Sequence, residues 1–135
     1  MFDTIKQHAL SLIDETTIRN WGQSIILRVD TSDNETTFYR EKFLLFHPGA
    51  SIVLESHTNY DEIWIPDSSM TYFLEEDNSL VHKCIAKKYE RVFVPRGKKH
   101  KIINHNNKTL CIFEIQTGVI DPNDKQQYSD EDVGL

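Results

Sequence analysis

In a chain of 135 residues, side chains able to act together chemically concentrate in two segments. One runs from Glu55 to Glu62 and reads E-S-H-T-N-Y-D-E; the other runs from Pro95 to Asn104 and reads P-R-G-K-K-H-K-I-I-N. A β-strand alternates its faces with a period of two residues, so Glu55 and His57 project from one side, and Glu62 can return on the next strand after a tight turn. His100 completes a mixed nitrogen and oxygen set. Such a set holds a divalent transition metal while leaving coordination positions open for a substrate.

The elements that must position these groups are mostly strands. Apolar-rich runs cover Trp21–Val29, Thr37–Phe46, Ser51–His57, Glu62–Ile65, Met70–Leu74, Leu80–Ala86, Arg91–Val94, His100–Asn104 and Thr109–Gln116. Polar turn material separates them: T-S-D-N-E, P-D-S-S, E-E-D-N-S, K-K-Y-E and N-H-N-N-K all read as hairpin connections. About nine strands with short loops predict an all-β antiparallel barrel or sandwich. Ahead of them, Ile5, Ala9, Leu12 and Ile13 fall on one face of a helix predicted over residues 4–14, with Asp3 or Thr4 as its N-cap. The organisation expected is one domain over 1–135: a helical segment at 1–18, a barrel over 19–118, and an acidic tail at 119–135, irregular or briefly helical.

Composition narrows the function classes. With 39 % hydrophobic and 27 % charged residues the chain is an ordinary globular sequence, and no stretch approaches the roughly 20 apolar residues of a membrane span. The N-terminus lacks a basic region leading into an apolar run, so a cytoplasmic protein is expected, and the sequons at Asn34 and Asn107 carry no weight. A net charge of −6 argues against a nucleic-acid partner. The exception is a basic cluster at Arg96, Lys98, Lys99 and Lys101, either a solvated loop or a positive rim for a phosphorylated small molecule. Cys84 and Cys111 stand in strand-like runs without metal-binding spacing and are expected as reduced core thiols. His8, His47, His82 and His105 fit no ligand pattern.

The two chemical segments also carry a family resemblance. Gly49, Glu55, His57 and Glu62 fall on the first cupin motif, G-x5-H-x-H-x4-E, with glutamate at the first histidine position, and Pro95, Gly97, His100 and Asn104 match the second, P-x-G-x2-H-x3-N. The chain is similar in particular to the C-terminal cupin of the type II mannose-6-phosphate isomerase and mannose-1-phosphate guanylyltransferase enzymes. R-N-W-G at Arg19–Gly22 resembles that family's R-P-W-G. Lys42 ahead of Pro48 and Gly49 matches its lysine, Glu55, His57, Glu62 and Trp64 lie on its Q-x-H-x4-E-x-W, and F-E-I-Q-T-G at Phe113–Gly118 looks like its closing strand.

The resemblance implies a double-stranded β-helix, or jelly-roll barrel, and a divalent metal (zinc, manganese, iron or nickel) held by Glu55, His57, Glu62 and His100. It implies a metal-dependent isomerase that interconverts aldose and ketose phosphates, with Lys42 and Glu114 as catalytic groups and Arg19, Trp64, Lys98 and Gln116 as substrate contacts. A sugar phosphate or nucleotide sugar is the expected partner, and a homodimer the expected assembly. Lys42 and Glu114 could instead form a cross-strand ion pair. The same barrel also suits a non-catalytic sugar-binding cupin or an iron-dependent cupin dioxygenase. Three positions depart from the family. Glu55 replaces glutamine, which makes a divalent centre neutral and a weaker Lewis acid; Tyr60 replaces an arginine; and the tail lacks the arginines usual there.

Overall fold

In the computed structural model, which describes residues 1–77 and 79–135, the period-two runs become eleven strands in two antiparallel sheets. They are β1 (Ile18–Arg19), β2 (Gly22–Thr31), β3 (Thr37–Phe46), β4 (Leu54–Ser56), β5 (Tyr60–Pro66), β6 (Met70–Glu75), β7 (Val81–Ala86), β8 (Val92–Val94), β9 (His100–Ile103), β10 (Leu110–Gly118) and β11 (Gln126–Tyr128). One sheet has the order β1-β2-β3-β10-β5-β8 and the other β11-β4-β9-β6-β7. From β3 onward every connection except that of β6 to β7 crosses from one sheet to the other, which makes the architecture a jelly roll.

That alternation corrects three of the expected hairpins. Only T-S-D-N-E and E-E-D-N-S join paired strands, β2 to β3 and β6 to β7. Asn78 of the second turn lies outside the described residues. The other three connections, P-D-S-S, K-K-Y-E and N-H-N-N-K, carry the chain from one sheet to the other. Polar turn residues report that the chain reverses, not which sheet receives it. Two strands were also missed. β1 is two residues long, and β11 lies inside the stretch read as an irregular tail, where three residues pair with β4 and a 3-10 turn follows at Glu131–Val133.

Between the sheets, Leu44, Phe46, Trp64, Met70, Val92, Val94, Ile102, Leu110 and Ile112 form the main core. Ile25, Phe43, Leu45 and Cys111 point the other way and bury Ala9 of the single helix, α1 (Phe2–Ser11). The helix starts earlier than expected, with Met1 rather than Asp3 or Thr4 at the N-cap position, because Phe2 packs on Phe43 and Tyr89 at ring distances of 5.5 and 5.3 Å. It also ends earlier: Leu12 and Ile13 lie beyond it and are exposed, while Thr16 and Thr17 bond to Asp14 and turn the chain into β1. Cys111 is a core thiol as expected, but Cys84 on β7 is only half-buried. None of the helices described is long and apolar enough to cross a membrane.

The asparagine and glycines of the two motifs serve the backbone. Asn104 is fully buried and its amide donates to the carbonyls of Phe46, His47 and Lys108, tying the end of β3 to the connection ahead of β10. Gly97 has φ +81°, a left-handed conformation that glycine adopts without steric cost, and its N–H donates to the His57 carbonyl at 2.6 Å. The turn that aims His100 inward is thereby fastened to the first motif.

Candidate metal centre

Strand register brings the four expected ligands together from three strands and one strand end. Glu55 on β4 stands opposite His100 on β9, Glu62 lies on β5, and His57 follows the last residue of β4. Ligand atoms of Glu55, His57 and His100 lie within 4.8 Å of one another. Glu62 adds Oε1 at 3.2 Å from His57 Nε2 and 3.1 Å from His100 Nε2, while Glu55 Oε1 is 3.5 Å from His57 Nε2. All but Glu55 are buried.

Hydrogen bonds behind the imidazoles decide what they present. His100 Nδ1 faces the Lys98 carbonyl at 3.0 Å, and His57 Nδ1 faces the Asp124 carbonyl at 2.8 Å. A carbonyl only accepts, so each Nδ1 carries the proton and each neutral ring turns a bare Nε2 lone pair inward. Two lone pairs and two carboxylates then converge with no donor among them, and the fully buried Glu62 Oε1 accepts no well-aligned hydrogen bond. Only a cation or added protons can settle such a set. The donors therefore fit a divalent metal, with carbonyl-oriented histidines and mixed nitrogen and oxygen ligands.

Charge in the site is uneven. Where protons rather than a cation settle the set, His57 takes one: burial disfavours its imidazolium, but the adjacent carboxylates of Glu55 and Glu62 outweigh that and raise the group to about 10. Glu62 goes the other way: burial would raise it, yet the imidazoles of His100 and His57 hold it well below the usual carboxylate range. Glu114, on the next rung of the sheet, is held well above that range by burial and by the charge of Glu62. Burial also lowers Lys42, against the opposing pull of Glu114. Two neighbouring carboxyls driven apart in this way divide into one ionised and one protonated group.

The remaining expected residues fall into two sets. Lys42 and Glu114 face each other across β3 and β10 on the concave side, without closing into an ion pair among the described residues. Phe113 and Ile115 take the opposite face and line a groove beside α1, so the alternation around Glu114 turns its carboxyl inward. Gln116 is a link in a chain: Arg40 Nε donates to its Oε1 at 2.6 Å, and its Nε2 donates to Glu62 Oε2 at 3.2 Å. Arg19 and Lys42 share a cleft of about 240 Å³ with Thr16, Thr17 and Ser24. Two others lie off the cavity surface. Trp64 is 1 % exposed in the main core, where its indole donates to Glu114 Oε2 at 3.1 Å. Lys98 directs its ammonium toward Asp77 at 3.4 Å. The four unmatched histidines are all solvent-exposed.

Three contacts of the candidate ligands escaped the sequence reading. Tyr60, in the position of the family's arginine, stacks on His57 at 4.4 Å and places its hydroxyl 2.8 Å from Nδ1. Arg40 reaches Glu62 through Gln116, and period-two alternation with Lys42 could have placed it on the inner face. Asp124 orients His57 from a stretch with no periodicity at all.

Comparison with known proteins agrees with this geometry. The chain resembles CapF of Staphylococcus aureus, a capsular polysaccharide assembling protein, with a TM-score of 0.70 at 16 % identity over 83 % of this chain and 33 % of CapF. It resembles a protein of Shewanella oneidensis with a TM-score of 0.70 at 17 % identity over 96 % of this chain and 85 % of the other. It resembles a recombinant oxalate oxidase with a TM-score of 0.62 at 15 % identity over 82 % and 57 %. These likenesses establish the cupin fold, and the chain spans about one third of the length of CapF. No curated protein matches it in sequence. The model of one family, described as mannose-6-phosphate isomerase C-terminal, matches residues 6–130, and with both cupin motifs in place on a jelly roll the chain belongs to that family.

Proposed function

We propose that the protein is a metal-dependent sugar-phosphate isomerase that interconverts an aldose and a ketose phosphate. The observation that carries this reading is the double position of Lys42. It stands on the rung of Glu114 beside the metal cradle, and it also walls the cleft that holds Arg19. A phosphate in that cleft meets the Arg19 guanidinium and the hydroxyls of Thr16, Thr17 and Ser24, and its sugar then extends past Lys42 toward the cradle.

Glu55, His57, Glu62 and His100 are the residues to hold the metal, which when bound polarises the substrate carbonyl and fixes its orientation. The chain's own groups move the proton. Lys42, whose burial favours the neutral amine, takes a proton from the carbon beside the carbonyl and returns it to the neighbouring carbon. Glu114, kept protonated by burial and by Glu62, supplies a proton to the carbonyl oxygen as the enediol forms and takes one back from the neighbouring hydroxyl as the new carbonyl forms. The Trp64 indole fixes the orientation of the Glu114 carboxyl.

The test is to load the protein with a divalent metal and follow mannose 6-phosphate in heavy water by proton NMR. Solvent deuterium entering at carbon 1 or 2, lost in His57→Ala and in Lys42→Met, supports the isomerase. Bound metal with an inert substrate rejects it and leaves a binding role. Dioxygen uptake with iron loaded assigns the site to an oxygenase instead.

A further inference from the structure

The segment from Asp121 to Asp130 has no part in the chemistry above, yet it runs back along the strand that carries two ligands. β11 pairs with β4, placing Gln126 opposite Ser56, Gln127 opposite Glu55 and Tyr128 opposite Leu54. Just ahead of β11, Asp124 engages the loop after β4 three times. Its two carboxylate oxygens accept from the N–H groups of Thr58 at 2.9 Å and Asn59 at 2.8 Å, and its carbonyl accepts from His57 Nδ1 at 2.8 Å. The far end is tied to the His100 strand and its approach: Asp130 accepts from Lys101 at 2.7 Å, and the Lys99 ammonium lies 4.7 Å over the Tyr128 ring. The Tyr128 hydroxyl meets Ser56 Oγ at 2.9 Å.

We propose that this segment is a clasp that positions Glu55 and His57 for the metal, with Asp124 as its key positioning residue, and that clasp docking and metal binding are coupled. The inference rests on the metal-centre reading but not on the isomerase assignment. Most of residues 121–130 are exposed, so hydrogen bonds rather than buried apolar surface hold the clasp down, and such elements open at low free-energy cost. Coupling is reciprocal: the factor by which docking tightens metal binding is the factor by which metal holds the clasp closed. Partners of this kind behind a ligand typically contribute about 10- to 100-fold in metal affinity.

The experiment uses the full chain with cobalt(II) alone, measuring Kd by chelator competition and amide hydrogen exchange across residues 121–130. Asp124→Ala is expected to weaken cobalt binding by about 10- to 100-fold. Asp124→Asn, which keeps one accepting oxygen, falls between Asp124→Ala and the parent. In the unsubstituted protein, saturating cobalt slows exchange at Gln126–Tyr128, and Asp124→Ala loses that response. A Kd for Asp124→Ala within about twofold of the parent, or exchange that ignores cobalt in the parent protein, overturns the clasp. Failure of the parent protein to bind cobalt removes the metal centre itself and the proposed function with it.

Discussion

Trp64 and Glu114 offer the sharpest test of how the cavity is built, because the indole expected as a substrate contact is a structural donor instead. Both residues are buried, at 1 % and 6 % exposure, and the indole N–H to Glu114 Oε2 distance is 3.1 Å. Replacing Trp64 by Phe removes part of a packed ring and leaves a buried carboxyl oxygen without its donor. The lost volume costs about 1–2 kcal/mol and the orphaned acceptor about 1–3 kcal/mol, so Trp64→Phe destabilises by roughly 2–5 kcal/mol. Glu114→Met, which has no oxygen to accept the bond, separates the two parts: with the double substitution, the cycle isolates a coupling of about 1–2 kcal/mol for the indole–carboxyl bond. Urea unfolding of the metal-free protein is the assay, and with a slope of about 1–3 kcal/mol per M a loss of that size moves the midpoint by roughly 0.7–5 M. Trp21, stacked on Phe46 at 4.5 Å, remains as the fluorescent reporter. A coupling below about 0.3 kcal/mol, within the additivity expected of independent sites, refutes the bond and the positioning of Glu114 that depends on it.

Further outcomes follow from the same geometry. A divalent metal at a hundredfold excess over Kd should stabilise the protein by about 2.7 kcal/mol in thermal unfolding; a chelator should reverse the gain, and His57→Ala or His100→Ala should abolish it. Asp61 accepts from the Arg96 N–H at 2.7 Å and from its guanidinium at 3.2 and 3.0 Å, and these bonds hold its carboxyl below the usual range despite the opposing effect of burial. A lowered carboxylate stabilises above its unfolded value of about 3.9 and loses that contribution as pH falls through the folded value, so the stability gap to Asp61→Asn should be flat above about pH 5 and close in stronger acid. A gap that widens on acidification contradicts this sign. Burial raises the Cys111 thiol to about 11, so at pH 8 about one molecule in a thousand carries the thiolate; a disulfide reagent should modify Cys84 first and Cys111 only on unfolding.

The grouping of the candidate ligands was legible because its information is local. Glu55 and His57 share a face by alternation, and the turn residues at Pro95 and Gly97 sit beside the histidine they aim. Trp64 stayed open between core packing and a substrate contact because an indole on a family motif position carries the same letter whether it stacks on a substrate or bonds to a buried carboxyl. Only its place across the sheet from Glu114 decides between the two. Alternation likewise put Glu114 opposite Phe113 and Ile115, but not which face was the cavity. The apolar pair could turn outward because α1 lies beside them on the convex side.

By itself, then, the chain determined a strand-built scaffold and which four side chains could meet at a metal, since period-two alternation and short motifs act within a few residues. Tertiary structure decided what surrounds them. The three sheet-crossing turns, the Arg40–Gln116–Glu62 chain and the Asp124 contact with His57 join residues up to 76 positions apart in sequence. Such pairings arise only when two sheets close on one another and each buried polar atom must find its partner there.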